Sequence, residues 1–131
     1  MKLFSKKGII SALVIVLIAG GLVGLVTYRS PVLNSDGTDS GYTKDFAHVY
    51  YDGDIVQGAD PSTFTASKFV EEGGDDEYGK DKNHVYFFEF LIPNADAGTF
   101  TVFDSLQKCG KNQTCTARDK SHEYYQGQVT Q

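Results

Sequence analysis

Tryptophan is absent from this chain, and methionine occurs once, at position 1. With no indole to bury, the large rings available for a core are the 8 tyrosines and 9 phenylalanines. Such rings cover much area per residue and favour strands, so a core built from short β elements is expected to be aromatic. Length is also in short supply. The 131 residues allow one domain at most, and if the first 29 belong to the membrane, 102 remain for everything else. A domain of that size buries roughly 60 to 65% of its unfolded surface, enough for one modest core and too little for a deep substrate cavity.

Positive charge is scarce after the first segment. From Ser30 onward there are 8 Lys or Arg against 17 Asp or Glu, a net of −9, compared with −5 for the whole chain. A field of that sign repels phosphate backbones and anionic headgroups, so no nucleic acid is expected as a partner. Residues Ile9 to Tyr28 (IISALVIVLIAGGLVGLVTY) lack charge altogether. A helix of about 20 such residues spans about 30 Å, the thickness of the hydrocarbon core of a bilayer. Lys2, Lys6 and Lys7 on the short N-terminal side should hold that end in the cytoplasm and send the remainder across. The expectation is therefore a basic cytoplasmic tail (1–8), a single-pass signal anchor (9–28) and an exported C-terminal domain. A cleaved signal peptide is the alternative, with Ile9 to Ile18 as its apolar region and Ala19-Gly20-Gly21 as the exit, giving a secreted or periplasmic protein. Leu22 to Val26 continue the apolar run past that cut and favour the anchor. No cysteine follows the run, which argues against lipoprotein processing. Gly20 and Gly24 form a GxxxG pair that can let two membrane helices approach closely.

The segment from Arg29 to Gly41 (RSPVLNSDGTDSG) has almost nothing apolar to bury and several turn formers, and reads as a flexible linker. Beyond it one phrase recurs. It runs YTKDFAHVYYDGDIVQGADPSTFT from Tyr42, YGKDKNHVYFFEFLIPNADAGTFT from Tyr78 and TARDKSHEYYQGQVTQ from Thr116. The period of 36 marks a chain made by stacking one supersecondary unit, with repeats at 42–77 and 78–115 and a half-repeat at 116–131. Lys80-Asp81-Lys82-Asn83 supplies an Asp to accept turn hydrogen bonds and an Asn that tolerates a left-handed conformation, and a strand follows at His84-Val85-Tyr86-Phe87. Asp52-Gly53 and Gln126-Gly127 suit type I′ hairpins, whereas Phe88-Glu89 breaks the rule and predicts a different turn. Turn residues then precede an alternating strand at Ala59 to Phe64 and at Ala95 to Phe103. About three short strands per repeat are expected. The fold class is all-β, an antiparallel meander or short β-solenoid, with open propeller-like blades as the alternative.

These phrases resemble the DKNYY family of bacterial repeat proteins. Asp81-Lys82-Asn83-His84-Val85-Tyr86 carries the resemblance in the second copy. In the first it lies in Asp45 with His48-Val49-Tyr50-Tyr51, and in the third in Asp119-Lys120 with Tyr124-Tyr125. Gly58-Ala59-Asp60-Pro61-Ser62-Thr63-Phe64 matches a second, separated segment of the family pattern. The departures are Phe46-Ala47 for Lys-Asn, Phe87 for the second Tyr, Ala97 for Pro, and Glu123 at a usually apolar place. The resemblance implies a bacterial repeat protein, which puts the anchor in the inner (cytoplasmic) membrane. It implies no activity and no cofactor.

Several residues invite a chemical role. His48, His84 and His122 share one slot of the repeat, where stacking could bring imidazoles to a metal. A residue present in every copy is first a folding requirement, and here its ring can satisfy a turn carbonyl, so no metal is expected. The runs Glu71 to Glu77 and Asp52-Gly53-Asp54 gather carboxylates that suit calcium, but neither has EF-hand spacing, and Gly and acid between repeats also describe a solvated connector. A general acid needs a carboxyl in an apolar pocket, which such loops do not offer, so no catalytic residue and no enzyme activity are expected. Cys109 and Cys115 lie where the third copy starts two residues late, and in an exported chain they favour a local disulfide over a redox or zinc site. Asn112-Gln113-Thr114 matches a glycosylation acceptor, incidental in a bacterial protein. The function expected is a non-catalytic interaction module displayed from the membrane, contacting a protein or envelope polymer. A small ligand- or calcium-binding envelope protein is the alternative, with an enzyme behind it.

Overall fold

A computed structural model describes residues 28–71, 74–110 and 113–130. The expected cytoplasmic tail and all of the expected anchor except Tyr28, with its GxxxG pair, lie outside those residues. Among the described residues there is no helix, and so none long and apolar enough to cross a membrane.

The fold is all-β. Among the described residues twelve strands form three separate antiparallel sheets, each a meander of four strands consecutive in sequence. The first contains β1 (Ser30–Leu33), β2 (Asp39–Lys44), β3 (Val49–Tyr51) and β4 (Asp54–Ile55). The second contains β5 (Thr65–Glu71), β6 (Gly74–Lys80), β7 (Val85–Phe87) and β8 (Phe90–Leu91). The third contains β9 (Thr101–Cys109), β10 (Gln113–Arg118), β11 (Glu123–Tyr125) and β12 (Gln128–Val129). A solenoid would carry its ladder from one repeat into the next. Among the described residues only the parallel bridge Asn34↔Ala66 crosses between sheets in this way.

Two sequence expectations are corrected here. Arg29 to Gly41 is no tether: Ser30 and Pro31 pair with Lys44 and Thr43, and Leu33 with Asp39, so β1 completes the first sheet. Val32, one of the few apolar residues in that segment, is buried. The acidic stretch after Thr65 is likewise no connector between units but the β5–β6 hairpin, paired from Thr65↔Lys80 to Glu71↔Gly74. Each unit therefore has four strands rather than three, and the described residues hold three full units, offset by one strand from the phrase that begins at Tyr42. The error has one physical source: polar side chains on a strand are no obstacle where ladder bonds and a few inward residues supply the stability.

The core lies between sheets. Val32, Tyr42, Val49, Val56, Phe64, Ala66 and Tyr86 pack together at the first junction, and Tyr78, Val85, Ile92, Ala97, Phe100, Ala117 and Tyr124 at the second. Rings meet at tilted angles, with Phe64 5.0 Å from Tyr42 and 6.0 Å from Tyr86, and Phe100 5.4 Å from Tyr78 and 5.3 Å from Tyr124. Gly79 is demanded by this packing, because a Cβ there would run into the Phe64 ring. The second hairpin does turn differently, in part. Phe88 takes a left-handed φ of 53° like Asp52 (46°) and Gln126 (47°), but Glu89 does not join Gly53 and Gly127 at positive φ. The Phe88 ring lies 5.1 Å from Tyr51 of the first sheet, a contact that offsets the strain of a left-handed aromatic residue.

The two residues by which the third copy is late fall in the β9–β10 hairpin. Val102 pairs with Ala117 and Gln107 with Cys115, so the four residues from Phe103 to Leu106 oppose Thr116 alone. Cys109 and Cys115 close that hairpin as a disulfide, with Cα atoms 5.8 Å apart, within the range such a bridge requires.

Candidate functional site

The repeat motif builds one local device three times. Asp45, Asp81 and Asp119 each begin the turn between the second and third strands, and the backbone N–H of each donates to the carbonyl of His48, His84 or His122 at 2.9–3.0 Å. One carboxylate oxygen accepts two N–H groups of the same turn: Ala47 and His48 at 2.8 Å, Asn83 and His84 at 2.8 Å, Ser121 and His122 at 2.7 Å. The other oxygen accepts a tyrosine hydroxyl, from Tyr50 at 2.8 Å, Tyr86 at 3.5 Å and Tyr124 at 2.7 Å. A short acidic side chain at the head of a turn does this because its two oxygens reach both the turn amides and the following strand.

In the second and third sheets the same carboxylate also holds the preceding unit. The N–H of Asp60 donates to Asp81 Oδ2 and that of Asp96 to Asp119 Oδ2, both at 2.9 Å. Around this bond, Lys82 Nζ lies 3.3 Å from Asp60 and Lys120 Nζ 2.6 Å from Asp96. The N–H groups of Lys82 and Lys120 donate to the hydroxyls of Thr63 and Thr99, at 3.2 and 3.0 Å. Thus the Ala-Asp-x-x-Thr-Phe loop of one unit plugs into the Asp-Lys turn of the next, and its phenylalanine enters the core beneath. Further ties join the sheets. Tyr42 Oη donates to Phe88 O at 2.6 Å, the N–H of Gly127 donates to Tyr78 Oη at 3.1 Å, and the N–H of Gly41 donates to Glu77 Oε2 at 2.8 Å.

The electrostatics follow from these bonds. Burial pushes the Asp119 carboxyl up, but the N–H of Asp96, the Tyr124 hydroxyl and the amides of Ser121 and His122 outweigh it and hold the group well below the usual carboxylate range. Asp81 shows the same balance, with burial opposed by the amides of Asp60, Asn83 and His84. The hydroxyl and N–H of Ser62 hold half-buried Asp60 at about 2. Burial, then the Asp81 charge, pushes Tyr86 up to about 12. Each carboxylate is therefore charged and fully used, which leaves none of them protonated near neutrality as a general acid.

The structure places the motif residues in these junctions and gathers them at no single point. The histidines contribute mainly through their backbones. Their rings do not satisfy turn carbonyls as expected: Nδ1 of His84 and of His122 approaches its Asp at 3.6 Å, beyond hydrogen-bond length, and Nδ1 of His122 is buried without a partner. Asn83 is not left-handed, and the tolerance of Asn is used instead at Asn94, which matches Gly58 at positive φ. Tyr51 packs its ring 4.9 Å from Tyr42, while Tyr125, its counterpart in the third sheet, is half-buried on β11. Among the described residues the one trio of metal-capable groups is Cys109, Cys115 and Glu123, and the bridge between its sulfurs removes the thiolates a metal would take.

Three features were not anticipated. The role of Asp60 and Asp96 as partners of the next unit's Asp was one, although their recurrence in register with Thr63 and Thr99 was a usable signal. Lys44 and Lys80 were another: they cap the following loop, at Pro61 O (2.9 Å) and at Ala97 O and Phe100 O (3.3 and 3.1 Å). The third is a cleft of about 240 Å³ lined by Ser35, Thr65, Ser67, Lys80, Phe100 and Thr101 among others. Its residues come from three strands and a turn, which no local pattern could assemble.

The sequence model of the DKNYY family matches residues 42–131, more than half of the chain. The chain belongs to the DKNYY family. The matched span opens on the second strand of the first sheet, so the DKNYY phrase starts in the middle of the structural unit that carries it. Among curated proteins and among solved structures, none matches the chain.

Proposed function

We propose that this DKNYY protein is a membrane-anchored, exported, non-catalytic interaction module of the bacterial cell envelope, its three sheets arranged as an open row of propeller-like blades. The observation that carries this reading is the division of labour among its side chains. In the second and third copies the polar groups of the motif are consumed in joining one unit to the next, while the outermost strand of every sheet leaves an aliphatic residue half-exposed at the same place: Ile55 (41%), Leu91 (50%) and Val129 (47%). Phe90, beside Leu91, is 64% exposed. Single exposed apolar residues are ordinary, but a row repeated once per unit along one rim, in an otherwise acidic domain, suits contact with a protein or a polymer. The adjacency of β1 and β5 through the Asn34↔Ala66 bridge supports the blade-like arrangement.

The test is site-specific photo-crosslinking in living cells. A reactive residue at Leu91 should trap a discrete envelope protein or polymer, and one at Asp36, in the β1–β2 turn away from the rim, should not. Equal labelling, or none, at both positions contradicts the rim as the working surface. A small-ligand carrier is the second reading, favoured by the hydroxyl-lined cleft near Lys80. It would show as a ligand-dependent rise in melting temperature.

A further inference from the structure

We propose that the open face of the first sheet, centred on Phe46, is seated against the lipid bilayer surface. This rests on the anchor reading above and adds to it the face by which the exported domain meets the membrane.

Three observations converge on that face. First, the device that receives a preceding unit is present but unfilled. Asp45 accepts the amides of Ala47 and His48 and the hydroxyl of Tyr50, as its counterparts do, yet among the described residues no N–H from a preceding loop reaches it. Second, the lysine that reaches for that loop in the other sheets, Lys82 or Lys120, is here Phe46. At 88% it is the most exposed large apolar side chain among the described residues. Replacing an ammonium with a bare phenyl ring removes the means of gripping an acidic loop and supplies a ring suited to an apolar partner. Third, the face is joined directly to the end of the apolar run. Arg29, the first residue after Ile9 to Tyr28, stacks its guanidinium 3.5 Å from the centre of the Tyr50 ring. Tyr50 in turn donates its hydroxyl to Asp45, the neighbour of Phe46.

If Tyr28 ends a membrane span, the Arg29–Tyr50–Asp45 contacts leave no slack between the span and the first sheet. Phe46 must then lie close to the headgroups. Aromatic rings and arginine are the side chains that settle at that depth, the ring among the upper acyl carbons and the guanidinium at the phosphates. The rest of the domain is acidic and is kept off the surface, so the seat is on zwitterionic rather than anionic lipid.

The absence of tryptophan gives the test a clean reporter. The full chain carrying F46W is reconstituted into phosphatidylcholine vesicles and into vesicles whose phosphatidylcholine bears bromine on its acyl chains. The full chain with F90W, at another exposed ring (64%), is the reference. A tryptophan at the headgroup level is expected to lose about half or more of its emission in the brominated vesicles, and F90W is expected to keep its own. Flotation of the same samples separates the two readings. A chain that does not float with the vesicles overturns the anchor and the seat together. A chain that floats while F46W is quenched no more than F90W overturns the seat and leaves the anchor standing.

Discussion

The Asp-to-Asn substitution at position 119 puts the inter-unit junction under quantitative strain. The carboxylate is buried and accepts four hydrogen bonds: Ser121 and His122 amides at 2.7 Å on one oxygen, and the Asp96 amide (2.9 Å) with the Tyr124 hydroxyl (2.7 Å) on the other. An asparagine keeps the shape but offers one acceptor oxygen. However its amide sits, an NH₂ faces two groups that were donors, and only the Tyr124 hydroxyl can rotate away. Bonds to a charged acceptor contribute roughly 1.5–3 kcal/mol each, and a buried donor left without a partner costs about 1–3 kcal/mol. Asp119→Asn is therefore expected to destabilise the domain by about 3–5 kcal/mol, a large part of the ~5–15 kcal/mol that holds a domain of this size. At roughly 4–8 °C per kcal/mol, the melting temperature should fall by ~15 °C or more. Asp45→Asn is the internal control, because Asp45 makes the same turn bonds and, among the described residues, holds no preceding unit. Its melting temperature should fall by less than half as much. The assay is thermal unfolding followed by circular dichroism on the chain from Tyr28 onward. Equal shifts for the two variants would refute the argument that Asp119 works by joining sheets.

Two further predictions concern conditions and the hairpin clasp. Because the carboxyls of Asp60, Asp81, Asp96 and Asp119 are lowered in the folded state, their stabilisation is complete above the unfolded carboxylate range near ~4 and is lost as pH falls through the folded values, about 2 for Asp60. Melting temperature should hold between about pH 7 and 5 and drop below about 4, and a flat profile to about pH 2 would show these bonds to be idle. Tyr86, raised to about 12, acts in the opposite sense: its contribution is complete below ~10 and is lost as pH climbs through about 12. Cys115→Ser should cost ~2 kcal/mol in the chain-entropy description of so short a loop. The deficit should vanish when wild type and variant are compared in reductant, and its persistence there would assign the loss to packing.

The sequence made some of this legible and concealed the rest for identifiable reasons. The all-β class, the aromatic core and the hairpin at Asp52-Gly53 were visible because turn residues and ring spacing are local signals. So was the place of Asp45, Asp81 and Asp119 at the head of a turn, where their carboxylates accept the turn amides. The first strand of the first unit was less visible. In β1 the inward residue is Val32 and its neighbours are Ser30, Pro31 and Leu33, too short a span for alternation to stand out from a linker. The β5–β6 hairpin was hidden by carboxylates that lie on a strand, among them Glu77, whose side chain ties Gly41 of the first sheet. Junction partners such as Asp60 and Asp81 are 21 residues apart, and only the fold brings them to 2.9 Å. The cleft near Lys80 and the rim of Ile55, Leu91 and Val129 depend on the placement of whole sheets, which no window of sequence contains.

The central claim is that the recurring motif is a joining device between units rather than a ligand site, and amide hydrogen exchange at Asp60 and Asp96 tests it most directly. Both residues sit in loops, where an amide open to water exchanges quickly. The account predicts that in the isolated protein, with no ligand added, these two amides are protected by the carboxylates of Asp81 and Asp119, and that Asp81→Asn removes the protection at Asp60 while leaving Asp96 protected. Free exchange at both amides in the unmodified protein would contradict it.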